Sequence, residues 1–476
     1  MTLKPLDIQK MLDDAAKLLE EEKNISPALA ATIKMLMVIV QVMMGRLGLN
    51  SENSSTPPSQ DPNHRRKPKA PTGKKPGGQP GHVGTTLNLV DDPDATETIL
   101  IDKRTLPRGK YRQAGFERRQ VFDIRIHRHV TEYQAEILED EAGHRFTAPF
   151  PDWVTRPAQY GGSVRAHAVY LSQFQLIPYD RIAQQFGDEY AMPVSAGTLV
   201  NFNQEAYERL EDFEGVARSQ LIVSPVLHAD ETGINIGGKK IWLHNASSDL
   251  WTLFLPHEKR GTEAMDAMGI LPVYAGILVH DHWKPYFTYP CIHALCNAHH
   301  LRELTYAHEI EGQDWAKKMH ELLVALNDAV TESGGQLETA QQALWRRRYR
   351  KILGDGDVEC PPPEEKSGKR GRTKRSKSRN LLERLRAYEQ ETLRFMVDAA
   401  VPFTNNQGER DIRMTKVQQK ISGSFRSMDG ARTFCRIRSY LSSCEKHGVS
   451  ASDALKCLFN GEWPEFIQEL MGNGIS

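Results

Sequence analysis

Three acids stand in settings that suit phosphoryl chemistry: Asp230 in HADETG (228–233), Asp281 in HDHWKPY (280–286) and Glu409 in TNNQGERDIR (404–413). Asp230 follows an apolar run containing Val226 and Leu227, and Asp281 follows Gly276, Ile277, Leu278 and Val279. Each is therefore expected where a core strand ends, the place where ligands collect in open α/β sheets. Glu409 is expected in the first turn of a helix capped by Thr404 or Asn405, with Ile412, Val417 and Ile421 toward the core. Taken singly, the two aspartates read equally as turn residues and Glu409 as an acid favoured by the helix dipole. Taken together, they suit magnesium or manganese, hard ions held by one or two carboxylates plus phosphate oxygens. Two such ions about 4 Å apart activate an attacking oxygen and stabilise a leaving one at phosphorus, and three carboxylates suffice if one bridges.

A sheet is needed to position these acids. Residues 221–257 hold three strand-like runs, VLHAD, KKIWLHNA and LWTLFLP, separated by Gly237 with Gly238 and by Ser247 to Asp249, so Asp230 is expected to end the first strand. TEAMDAMGILPVY then reads as a helix, AGILVHDHW as a buried strand ending at Asp281, CIHALC as a strand, and NAHHLRELTYAHEI as a helix with Asn297 as its cap. A meander followed by α/β alternation predicts a mixed sheet with helices packed on it.

The 476 residues allow several domains, and 61 acids against 61 bases leave no formal net charge, so partner information lies in local charge. Six cysteines, at 291, 296, 360, 435, 444 and 457, lack the spacing of a disulfide scaffold and fit a reducing, cytoplasmic setting. The first residues lack the order of a secretion signal, and the apolar stretch 28–44 is broken by Lys34 and Gln41, so no membrane span is expected. Residues 1–48 read as a helical region, packed within the chain or self-associating, and 49–90 as a flexible basic linker rich in Ser, Pro and Gly. Arg65, Arg66, Lys67, Lys74 and Lys75 of that linker suit phosphate contacts, although a solvated tether has the same composition. Residues 91–152, with alternating segments such as VFDIRIHRHVTEYQAEIL, read as a small β module. Residues 153–220 turn helical: a helix, a break at Met192 and Pro193, and a second helix starting at Ser195 resemble a helix-turn-helix, a pattern that a packed hairpin without DNA contact shares.

KSGKRGRTKRSKSR (366–379), whose eight bases include Arg370, Arg372, Lys374 and Arg375, suits a loop tracking phosphates. Arg410, Arg413 and Lys416 add bases around Glu409. CIHALCNAHH places Cys291, His293, Cys296, His299 and His300 within ten residues, but strand alternation points Cys291 and His293 away from Cys296, so a zinc site is not expected.

HADETG, HDHWKPY, CNAHHLREL (296–304) and TNNQGERDIR, in that order, resemble the catalytic-core motifs of the insertion-sequence-66 family of DDE transposases, bacterial enzymes with an RNase H-like fold. LGLNSENSSTPPS (47–59) and GGQPGH (77–82) resemble that family's N-terminal region, so the resemblance runs through most of the chain. It implies an α/β fold: an RNase H-like mixed sheet flanked by helices with a helical insertion, preceded by helical and small β N-terminal regions, the catalytic core covering 221–308 and 395–447, the insertion 309–394 and a tail 448–476. It further implies that Asp230, Asp281 and Glu409 bind two divalent ions, Mg2+ or Mn2+, with His282, His299, Arg302, Asn406 and Arg413 in support. CNAH also matches a Cys-x-x-His found at this place in many transposases of the broader superfamily. The implied reaction is hydrolysis at the ends of a mobile element, then attack of the freed 3′-hydroxyl on target DNA. The implied partners are DNA (terminal inverted repeats and target), further copies of the chain to synapse two ends, and accessory proteins of the same element, in the bacterial cytoplasm at the nucleoid. Two other readings stay open: a structure-selective nuclease on the same fold without strand transfer, and a catalytically inactive DNA-binding derivative. The chain departs from the family in one respect. No cysteine precedes Cys291, so residues 91–152 lack the cysteines of the family's zinc module and zinc is not expected there.

Overall fold

The computed structural model describes residues 5–22, 25–47, 49–50, 52–54, 61, 87–124, 126–363 and 375–472. The chain divides into two compact units, Arg65–Glu132 and a larger one built from Met1–His64 and Tyr133–Ser476. Within the smaller unit the described residues form one short 3-10 turn, Lys103–Thr105, closed by the Asp102 side chain, which accepts from the Arg104 N–H. The expected strands of VFDIRIHRHV do not form there. Val121 is 94% and Ile124 82% exposed, and alternation without an apolar partner surface gives a strand nothing to bury against.

The larger unit opens with two helices, α1 (Pro5–Glu21) and α2 (Pro27–Leu47). Met35, Leu36, Val38, Ile39 and Met43 of α2 are exposed. The start of the expected flexible linker is ordered. Asn50 and Asn53 close a turn on each other's backbone, and the Asn53 side chain is buried and donates to Glu309 at 3.4 Å. Next come a hairpin of three-residue strands, β1 (Ile137–Glu139) and β2 (Arg145–Thr147), then α3 (Gly162–Val169), α4 (Tyr179–Tyr190), α5 (Ala196–Arg209) and α6 (Glu211–Val223). The break between α4 and α5 is made by Ala191 in the left-handed region, φ 47°, and α5 begins where the Ser195 hydroxyl accepts from the Thr198 N–H at 3.1 Å. Leu199, Phe213 and Leu221 of these helices share one core with Leu227 and Leu278 of the sheet.

Five strands form that sheet: β3 (Val226–Ile236), β4 (Lys239–Ser247), β5 (Thr252–His257), β6 (Ile277–His280) and β7 (Ile292–Leu295), with α7 (Thr262–Met268) before β6. The spatial order is β5-β4-β3-β6-β7; β3, β4 and β5 are antiparallel neighbours, while β6 and β7 join parallel to β3. This is the mixed RNase H-like sheet. After β7 the chain enters α8 (Asn297–Glu309), α9 (Asp314–Glu332), α10 (Thr339–Glu359), α11 (Lys377–Ala387) and α12 (Glu389–Thr392). Their core, including Trp315, Leu323, Tyr349 and Leu382, continues into Val279 and Ala294 of the sheet, so the insertion rests on the parallel half. The chain then returns as α13 (Asn406–Ser422) and α14 (Met428–Lys446), where Ile412 and Phe434 pack with Ile234, Leu243 and Phe254 on the antiparallel half. Helices α15 (Ala451–Asn460) and α16 (Glu465–Gly472) complete the unit. No helix among the described residues is long and apolar enough to cross a membrane.

Candidate active site

Asp230 does not end its strand. It is the fifth residue of β3, which runs on to Ile236 because β4 stays paired with it as far as Ile236↔Lys239. On its other edge β3 pairs with β6 only through Val226↔Ile277, Leu227↔Leu278 and His228↔Val279. Continuing that register by two residues sets Asp230 level with Asp281, directly after the end of β6. The two acids therefore flank the point where the parallel ladder opens. Asp281 is held there by its own turn, its carboxylate accepting the Trp283 N–H at 2.9 Å.

Glu409 reaches the same place from α13, and the start of that helix is pinned to the sheet. The Asn405 carboxamide donates to the Ala229 carbonyl at 2.8 Å and accepts from His228 Nδ1 at 2.8 Å, while its backbone N–H meets Cys296 Sγ at 3.1 Å. Asn245, the cross-strand partner of Asp230, donates to the Gly408 carbonyl at 3.2 Å. Asn405 is thus the first-turn boundary, but its side chain does not cap the helix. Ile412 is buried and Val417 packs against the core as expected, whereas Ile421 is half exposed. Further along, Asp411 forms an ion pair with Lys446 at 2.8 Å and accepts from Thr252, which fixes α13 to β5 and α14.

The charges of these acids act on one another. The Asp230 carboxyl is pushed up to about 8, chiefly by burial, then by the neighbouring charge of Glu231, with Asp281 and Glu409 adding to it and the Glu231 N–H working against it. Glu231, which the sequence reading passes over, is the one acid of the group with a dedicated base. Arg260 donates to it at 2.6 and 2.9 Å and Tyr286 at 2.6 Å, and the guanidinium lies over the rings of Trp242 and Trp283. Burial still holds its carboxyl above the usual range. The signal for this role was a second acid beside Asp230, legible only once Arg260 is brought near.

The Cys-His segment divides. His293 meets His280 at 3.0 Å and the Tyr289 carbonyl at 3.1 Å, His300 contacts Asn297 at 3.1 Å, and Asn297 itself donates to the Thr392 carbonyl rather than capping α8, whose cap residue is Cys296. Cys296, His299 and Glu409, by contrast, bring ligand atoms within 4.8 Å of one another. Burial pushes the Cys296 thiol up to about 11. Glu409 Oε1, His299 Nδ1 and His282 Nδ1 are buried and have no hydrogen-bond partner. Burial, with Arg384 and Lys284 adding to it, lowers His282 to about 4. Beside these groups lies a cavity of about 850 Å³ whose walls include Asn53, His282, His299, Arg302, Lys377 and Tyr388. Three expected supporting residues, His282, His299 and Arg302, are thereby brought together; Asn406 and Arg413 are exposed on α13.

The expected DNA contacts fare unevenly. Arg65, Arg66, Lys67, Lys74, Lys75, Arg370, Arg372 and Lys374 lie outside the described residues. Arg375 is paired with Glu383, Lys416 donates to the Gly233 carbonyl of β3, and Arg410 is exposed.

The profile described as the Transposase IS66 family matches residues 157–433, which takes in the helical region, all five strands of the sheet, the insertion and α13. The chain belongs to that transposase family. A second profile, a family of unknown function, DUF6444, matches residues 6–88 of this IS66-family chain. No curated protein matches it.

Proposed function

We propose that this transposase acts by metal-dependent phosphoryl transfer: hydrolysis of phosphodiesters at the ends of its element, then transfer of the 3′-hydroxyl into target DNA. Asp230, Asp281 and Glu409 are the catalytic acids in this reading, and they would hold two ions, Mg2+ or Mn2+. The observation that carries it is a half-buried Asp230 whose carboxyl is raised by burial and by the charges of Glu231, Asp281 and Glu409, with Arg260 already engaged by Glu231. Such a set of acids is costly without a cation, and Glu409 Oε1 lacks any partner. Oxygen donors alone, from three carboxylates, are what hard divalent ions take. When bound, the ions would supply Lewis-acid stabilisation of the attacking and leaving oxygens.

The chain's own residues do the positioning. Asn405 and Asn245 set Glu409 against β3. Arg260 and Tyr286 keep Glu231 occupied. Arg302 and Lys377 line the cavity with His282 and His299 and suit strand phosphates, as do the exposed Arg410 and Arg413. The basic residues of 65–75 and 370–374 belong to the same reading as non-specific phosphate contacts. Synapsis of two ends needs more than one copy, and the exposed apolar residues of α2 are the surface we assign to it.

A labelled end-DNA assay with Mg2+ tests this. The reading expects cleavage followed by joining. Asp230→Asn is expected to lower the rate by a factor on the order of a thousand or more while end binding persists. Cleavage without joining would leave a nuclease, binding alone would leave a DNA-binding derivative, and unchanged cutting by Asp230→Asn would refute the assignment.

A further inference from the structure

We propose that Cys296, His299 and Glu409 form a binding site for a thiophilic divalent ion, Zn2+ or Cd2+, which shares Glu409 with the hard-ion site and inhibits by drawing that carboxylate away. The site rests on side-chain placement alone; its inhibitory effect rests on the role given to Glu409 above.

The three ligand atoms come from two helix starts that the fold holds together. Cys296 is the cap residue of α8 and His299 lies three residues on, on the same side of the helix. Glu409 is in the first turn of α13, and the two starts are tied by Asn405 N–H to Cys296 Sγ at 3.1 Å and by Asn297 N–H to the Phe403 carbonyl at 3.1 Å. Their ligand atoms all lie within 4.8 Å of one another. Zinc bonds of about 2.0–2.3 Å in a tetrahedron need ligand separations of roughly 3.3–3.8 Å, so rotation of the side chains by about an ångström closes the site. Two independent observations point to a ligand: Glu409 Oε1 and His299 Nδ1 are both buried without a hydrogen-bond partner.

The donor set discriminates by chemistry. Thiolate, imidazole and carboxylate suit zinc and cadmium, whereas magnesium takes oxygen donors and leaves the thiol alone. On binding, the Cys296 thiol loses its proton to solvent and the thiolate bonds the ion; a water completes four-coordination. No redox step is involved.

Titration of the full-length, metal-free chain with Cd2+, followed by thiolate-to-cadmium absorbance in the ultraviolet, tests the site without DNA. The wild type is expected to gain one saturable equivalent that Cys296→Ser lacks; serine still offers an acceptor to the Asn405 N–H. His299→Gln retains the thiol and is expected to weaken binding by roughly tenfold or more. An unchanged signal in Cys296→Ser, or unchanged affinity in His299→Gln, overturns the site. In the second arm, Zn2+ is added to Mg2+-supported cleavage. Inhibition that Cys296→Ser relieves, relative to its own zinc-free rate, supports the shared carboxylate, and equal inhibition of both proteins overturns it. Failure of the transposase reading looks different: no Mg2+-supported cleavage at all, with the cadmium signal intact.

Discussion

Asn405 spends its hydrogen-bonding capacity on three partners from two elements: the His228 ring and the Ala229 carbonyl on β3, and Cys296 at the start of α8. Because its carboxamide nitrogen donates to a carbonyl, its oxygen must accept, so His228 carries its proton on Nδ1. Asn405→Ala would strand both partners in a buried place. The expected cost is about 1–3 kcal/mol of stability, read by denaturant unfolding. Under the proposed mechanism the same variant loses Mg2+-dependent cleavage while keeping end-DNA binding, since the register of Glu409 against Asp230 is what slackens. Asp230 and Asp281 were legible from sequence because acids following apolar runs are unusual. Asn405 was not, because an asparagine before a helix reads as a cap, and only the folded chain shows its side chain turned inward.

At the scale of elements, α10 and α11 pack where Gly356 leaves no room for a side chain. A Cβ there would stand 2.7 Å from Leu382 and 3.0 Å from the Trp315 ring, both buried. Gly356→Ala is expected to destabilise the insertion by about 1–3 kcal/mol, seen as a lower unfolding midpoint. The insertion was expected from the family resemblance, but its tight approach at Gly356 could not be read from the sequence. The strands divide in the same way. KKIWLHNA and LWTLFLP declare themselves by apolar density, whereas the second half of β3, ETGINI, has only two apolar residues and is made a strand by the pairing of all six of its residues with β4. The alternation of VFDIRIHRHV failed in the opposite sense, for it is a strand pattern with no sheet to join. Ile421, placed on the core side of α13 by periodicity, is half exposed, one residue before the helix ends at Ser422.

At the scale of the whole unit, buried histidines set an acid limit. Burial lowers His244 and His282 to about 4 and His280 to about 3, and holds His300 well below its ordinary value. The unfolded chain takes up these protons near pH 6.5 and the folded chain does not. Their contribution is therefore fully present above about pH 6.5 and is lost as the pH falls toward 4. Asp230, Glu231 and Glu445 oppose this, since raised carboxyls bind protons more tightly when folded, but the lowered histidines, with His167, His228, His293 and His320 among them, outnumber them. Calorimetry of the metal-free protein is expected to show the melting temperature falling between about pH 6.5 and pH 4, and a flat profile there would contradict the account.

The central claim is that one pair of hard ions is shared by Asp230, Asp281 and Glu409. Anomalous diffraction from crystals soaked in Mn2+ tests it most directly. The account predicts two manganese peaks about 4 Å apart, with all three carboxylates as ligands. Manganese bound by the aspartates with Glu409 out of reach, or no manganese among the three, would contradict it.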